Sequence, residues 1–394
     1  MRSDRQNARS RRAGFTLIEL MVAMTVGALV IATVYTIGGS SARNFQEQQR
    51  VGQLQLSTRL ALDRIRRDVE RAGLHGTPNS ALERSCAPAA RAVQAVVVRD
   101  NEPTSRGALG VYDAAASNST TQADLLRLVG NFATADAYLV RSFNGAGNVA
   151  FLQTQWQGFR RSFADVTVDP AGNTFDPTLF TSAFAPGRML HIQNLSGSHF
   201  FVRIVSSSLA GPDATVTFAP ALPVGGTCVV GLGEGALIAP LSEIEYALQA
   251  SPPDLLAPLD PEITGANVGL VRRELNTGAP GTFLSSRTVL EWAVTFDVDA
   301  IMDNTPIGGV PNAWLLQLAN DGNAQTQLTA QPHRVRSLVV TIGARTPEQD
   351  PDFAWVAPTP LDPLSRFRVF GARPGAARVR TATAEINLPN LGRL

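Results

Sequence analysis

The chain has 394 residues, 34 of them basic and 33 acidic, for a formal net charge of +1; 44% of its residues are hydrophobic. That balance excludes a dominant electrostatic partner, and the length leaves room for one large domain or two behind an N-terminal segment. Every basic residue is an arginine, which reads as base-composition bias and not as function.

The first predicted element is a basic leader, residues 1–14, with Arg2, Arg5, Arg9, Arg11 and Arg12 against Asp4. An apolar run comes next, in which Glu19 is the only charge between Phe15 and Ala42. The run exceeds the ~20 apolar residues a helix needs to cross a bilayer core. The positive-inside rule keeps the leader cytoplasmic and exports the chain beyond the run. A secretory signal is cleaved behind its apolar region, at a small-residue site; here the region is too long for that, and the junction Gly14-Phe15 stands in front of it.

Beyond the run, Leu54, Thr58, Ala61, Ile65, Val69 and Ala72 step by three or four, the spacing of an amphipathic helix. Charged residues from Arg59 to Arg71 fill the other face, and Gly73, Gly76 and Pro78 end the helix. One helix therefore runs from Phe15 to about Ala72, with Gly38-Gly39 as the place for a kink. Residues 15–42 form its membrane or fibre-core half and residues 43–75 its amphipathic half.

After Gly76 come short apolar runs between Gly, Pro, Ser and Asn. Strands are predicted at Val93–Arg99, Asp124–Val129, Phe200–Val205, Ala214–Phe218, Cys228–Leu232, Glu243–Leu248 and Leu270–Leu275. Longer ones are predicted at Val289–Val298, Val335–Ala344 and Ala377–Leu388. The fold class is α+β, a long helix packed on mostly antiparallel sheet. The proline-rich stretch Ser251–Glu262 divides a first β-rich lobe, 76–250, from a second, 251–394. Cys86 and Cys228 are the only cysteines. In an exported domain they form a disulfide, closing a loop of about 140 residues; two separate buried thiols are the alternative.

No catalytic constellation is present, and the chain reads as a non-enzyme without cofactor. His75, His191, His199 and His333 lack zinc spacing, and no G-x-S-x-G elbow occurs. The glycines of Gly231–Ala236 half-resemble a dinucleotide loop, but Glu234 would oppose a pyrophosphate, so a turn is the reading. Asp297, Asp299 and Asp303, and Asn320, Asp321 and Asn323, carry Ca²⁺-type oxygens without a full loop template; both read as solvated turns, with no metal site. From Pro332 onward nine arginines face five acids, a net of +4. Clustered on one face they would grip DNA phosphates; solvated strands are the preferred reading, and nucleic acid is not an expected partner.

The junction Gly14-Phe15-Thr16-Leu17-Ile18-Glu19 resembles the processing site of type IV prepilins. The resemblance implies cleavage by prepilin peptidase between Gly14 and Phe15 and N-methylation of Phe15. It makes Glu19 the fifth mature residue, an assembly residue whose carboxylate meets the new amine of its own chain or of a neighbouring subunit. Ala61–Gly76, Leu270–Leu275, Arg334–Thr346 and Arg378–Leu391 further resemble the PilW family of minor pilins. This likeness implies a low-abundance subunit that primes pilus assembly, near the tip or beneath an adhesin. Its partners would be other minor pilins, the major pilin and the inner-membrane assembly platform. It would sit in the inner membrane with its C-terminal part in the periplasm, then in the surface pilus. The secretion pseudopilin J and a DNA-binding uptake-pilus subunit are the alternatives.

Overall fold

The computed structural model describes residues 16–84, 86, 93–105, 122–165, 167–168, 174–223, 225–250, 267–304, 313–316, 318, 322–357 and 364–391. Gly14, Phe15, the stretch Ser251–Glu262, Asn320 and Asp321 lie outside them. The chain divides into two compact units, Met1–Gln53 and Leu54–Leu394.

Helix α1, Leu17–Glu70, has 54 residues and is unbroken at Gly38-Gly39. Its first part, Leu17–Gly39, is long and apolar enough to cross a membrane and has none of its residues buried. In the second unit the same helix is amphipathic, and Leu54, Ala61, Ile65 and Val69 are buried in the core. Burying each of the larger residues is worth ~1.5–3 kcal/mol. The helix ends in a turn at Gly73, whose φ is 76°. Its last carbonyls, of Glu70 and Ala72, accept from Asn390 Nδ2 at 2.9 and 3.2 Å. Gly130 is required here because a Cβ would stand 2.5 Å from the Arg71 carbonyl.

The strands are β1 (Val96–Arg99), β2 (Leu125–Gly130), β3 (Tyr138–Phe143), β4 (Val149–Leu152), β5 (Met189–Gln193), β6 (His199–Ala210), β7 (Asp213–Ala219), β8 (Leu237–Ala250), β9 (Val268–Leu275) and β10 (Phe283–Leu290). They form one ten-stranded antiparallel sheet centred on β8. The C-terminal part of β8 pairs with β2 and β9, while residues 237–241 pair with β3 and β5. Because β3 leads through β4, β7 and β6 to β5, which returns to β8, that half closes on itself. Closure removes free edges and encloses an aromatic core that includes Tyr138, Phe159, Phe163, Phe180 and Phe184. Short helices Gln157–Phe163 and Pro177–Ala183 supply four of those five residues or their flanks.

A second sheet runs in the order β12-β11-β13-β15-β14, with β11 (Ala293–Asp303), β12 (Ala313–Leu316), β13 (Val335–Arg345), β14 (Arg366–Phe367) and β15 (Ala377–Asn387). Its inner face, the open half of the first sheet and the buried stripe of α1 share one core. The α+β class is therefore the observed one. Strand pairing does not follow the expected division at Ser251: β9 lies beyond it and pairs with β8 over Ile244–Ala250. The predicted strand at Cys228–Leu232 is instead a 3₁₀ turn, Thr227–Val229, with Gly231 beyond it at φ 78°. The predicted strand Val289–Val298 is broken by a tight turn at Trp292, whose φ is 55°.

Candidate functional site

The prepilin-like junction meets the described chain at Thr16. Glu19 Oε2 accepts from the Thr16 N–H and from the Thr16 hydroxyl, each at 3.0 Å, and the Glu19 N–H donates to Thr16 Oγ1 at 3.3 Å. This reciprocal arrangement is a capping box, with Thr16 as N-cap and Glu19 three residues on. It satisfies donors that the first turn of any helix leaves without partners. The sequence carries the signal in Thr16-Leu17-Ile18-Glu19, a T-x-x-E pattern before an apolar run, which attention to charge alone passes over. Glu19 is exposed, as are Leu17 and Ile18, at 77% and 71%.

At the other end of the helix the second acidic residue is interior. Asp68 is 5% exposed and accepts from the Tyr246 hydroxyl and from Arg272 Nε, both at 2.6 Å. Arg64 lies 3.8 Å away. Burial, with Asp68 beside it, pushes the Tyr246 phenol up, so it stays a donor.

Cys86 and Cys228 form a disulfide, with their Cα atoms 6.0 Å apart at a sequence separation of 142. Around it the fold brings together three of the histidines that are scattered in sequence. His191 Nδ1 lies 2.7 Å from the His75 carbonyl, so it carries the proton and donates. His191 Nε2 is 2.8 Å from His199 Nδ1, and His199 Nε2 is 3.4 Å from Glu83 Oε2. Burial pushes the His191 pKa down to about 3 and that of His199 down as well. The chain of contacts fastens the segment before Cys86 to β5 and β6, and its chemistry is structural.

The remaining candidates resolve individually. Gly231–Ala236 is a turn, as expected. Asp297, Asp299 and Asp303 are not in a solvated turn but along β11. There burial pushes Asp297 up to about 6 and Asp299 upward, Asp299 accepts from the Leu318 N–H at 2.9 Å, and Asp303 pairs with Arg336 at 3.1 Å. No three His, Cys, Asp or Glu among the described residues are placed to hold a metal ion. Of the C-terminal arginines, Arg345 is fully buried, donating to the Thr346 and Pro347 carbonyls and lying 4.8 Å over the Trp292 ring. Arg378 pairs with Asp350 at 3.2 Å and stacks on Phe353, Arg366 donates to the Ala354 carbonyl, and Arg368 donates to that of Gly371. Guanidinium groups held this way are part of the fold's own bonding.

Among known proteins, the family described as the prokaryotic N-terminal methylation motif matches residues 9–35. No curated protein and no solved structure matches the chain. The matched segment contains Gly14, Phe15, Thr16 and Glu19 and most of the exposed apolar part of α1. Motif and helix together support a type IV pilin-like protein, anchored by one N-terminal apolar helix, and imply processing by prepilin peptidase and assembly with other pilins.

Proposed function

We propose that the protein is a minor pilin of the PilW kind, which primes assembly of a type IV pilus and is built into the fibre near its tip. The observation that carries the reading is the methylation motif at residues 9–35, set on an apolar helix none of whose residues is buried by its own chain. Such a helix is covered by lipid before assembly and by neighbouring helices afterwards. The leader's arginines keep the N-terminus cytoplasmic and deliver the second unit to the periplasm.

The segments that carry the PilW likeness lie together in the fold. Ala61–Gly76 meets Leu270–Leu275 through Asp68 and Arg272. Arg334–Thr346 pairs with Arg378–Leu391 as β13 on β15, and the latter caps α1 through Asn390. Segments far apart in sequence thus make one structural unit around the C-terminal end of the helix. In this reading the chain is a structural subunit and not an enzyme. It needs no cofactor, and it works with other minor pilins, the major pilin and the assembly platform.

The test is the native N-terminus together with the phenotype. Mass spectrometry of the membrane-extracted protein should find N-methylated Phe15, and Gly14→Val should leave the leader attached. Deletion of the gene should remove surface pili and leave general secretion intact. Loss of secretion with normal piliation would replace the reading by a J-like pseudopilin, and a mature chain still starting at Met1 would overturn both.

A further inference from the structure

Alternate residues of a strand share a face. On β8, Ile244, Tyr246 and Leu248 belong to the core under α1, while Glu243 and Glu245 line a cavity of about 780 Å³ on the other side. That volume lies within the range of about 300–1,000 Å³ common for ligand pockets. The register sets Arg127 of β2 opposite Glu245, with Arg273 of β9 on its other flank. Arg127 reaches Glu245 at 2.8 Å and Glu243 at 3.4 Å. Phe201 and Arg203 of β6 form one wall, and the β9–β10 turn with Phe283 forms the other.

Three properties of this cavity define what it takes. Its lining charges cancel, Arg127 and Arg203 against Glu243 and Glu245, so the field favours neither an anion nor a cation. Its polar lining combines carboxylates that accept, Glu243 and Glu245, with guanidinium groups that donate, Arg127 and Arg203, so a group that both donates and accepts, such as a hydroxyl, is matched. Carboxylate and guanidinium each present paired coplanar atoms, a spacing that suits vicinal hydroxyls. Phe283 remains 40% exposed beside them, an apolar platform for the C–H face of a ring; Arg273 stacks on that ring, 4.6 Å from its centroid.

We propose that this cavity binds a neutral saccharide of one or two rings, with Arg127 and Glu245 holding its hydroxyls and Phe283 stacking on it. The site lies wholly in the second unit and does not depend on the assembly role. Its placement gives an exported subunit a means of engaging a glycosylated surface.

The experiment uses the full-length protein in a detergent without a sugar headgroup. Saturation-transfer NMR and calorimetry are run with methyl glucoside, methyl galactoside, N-acetylglucosamine and lactose, and with glucuronate and glucosamine as charged counterparts. At least one neutral sugar should bind more tightly than its charged counterpart. Phe283→Ala, at the exposed rim, should weaken that binding at least tenfold without moving the thermal midpoint; Glu245→Gln should also weaken it, but with a lowered midpoint, because it removes the charge that pairs with Arg127. The proposal is overturned if no neutral sugar binds at millimolar concentration, if a charged counterpart binds more tightly, or if Phe283→Ala leaves binding unchanged.

Discussion

Glu19 and Asp68 are two carboxylates on one helix in opposite surroundings. Asp68 is buried, and its partners Tyr246 and Arg272 come from strands of its own chain. Glu19 is exposed, and its bonds are to Thr16 in its own first turn. The apolar residues beside them differ in the same way: Ile65 and Val69 are fully buried, whereas Leu17 and Ile18 are 77% and 71% exposed. One end of α1 has found its environment within the chain. An apolar surface as long as the other end cannot remain in water, so its environment comes from outside, as lipid or as other helices.

The largest expected effect breaks the comparison at its buried end. Asp68→Ala strands the Arg272 guanidinium and leaves the Tyr246 hydroxyl without its acceptor. Removing one partner of a buried ion pair typically costs about 3–5 kcal/mol. Chemical denaturation of the full chain in detergent should show a loss of that order in the second unit, and Glu19→Ala should show none. A loss in Asp68→Ala below ~1 kcal/mol would mean that the pair is solvated and the contrast with Glu19 is only one of position.

A second interior carboxylate sharpens the point that burial, and not charge, sets the role. Asp124 joins the two sheets: its Oδ1 accepts from the Asn101 N–H at 3.0 Å and its Oδ2 from the Val298 N–H at 2.8 Å. Burial pushes its pKa up to about 7, and the nearby Asp297 and Asp100 add to this. The folded chain therefore holds a proton that the unfolded chain releases near pH 4. Stability from this group is full below that pH and declines as pH rises from about 4 through 7, by an amount on the order of a few kcal/mol. His191 acts in the opposite sense. Its depressed pKa makes stability fall as pH drops below about 6.5. Asp124→Asn should remove the first slope and leave the second, so between pH 5 and 7 the variant's stability should rise with pH more steeply than that of the wild type, in which the two slopes oppose each other. An unchanged slope would refute the assignment.

The helix was legible because its two signals are local. An uninterrupted apolar run and a three-or-four-residue spacing both appear within a few turns, and the Gly14-Phe15 junction needs no tertiary context. The disulfide was legible because Cys86 has a single possible partner in the chain. What escaped depends on long-range register. β3, β4 and β5 carry few residues each and are held by a ring of pairing that returns to β8. Val229 and Val230 looked like strand, but Gly226 and Gly231 both take positive φ and turn the chain around Cys228. The cavity was invisible because Arg127, Arg203, Glu243 and Phe283 come from separate strands and the sequence offers no spacing that joins them.

The smallest expected effect on stability falls at Glu19, and it is the most informative about function. Its carboxylate has two separable properties. It caps the first turn with Thr16, and it offers a negative charge to a cationic amine in a water-poor helical bundle, where charge pairs strengthen. Glutamine serves as well as glutamate in a capping box, so Glu19→Gln keeps the cap and loses the charge, while Thr16→Val keeps the charge and loses the hydroxyl half of the cap. Neither should change the unfolding free energy of the second unit by more than about 0.5 kcal/mol. If charge governs assembly, Glu19→Gln should cross-link to other minor pilins as poorly as Glu19→Ala, and Thr16→Val should cross-link well. If the cap governs assembly, the order inverts, because Glu19→Gln then presents the same helix start as the wild type. Cleavage of the leader, read on the same samples by mass spectrometry, must be complete in every variant for the comparison to concern assembly and not processing.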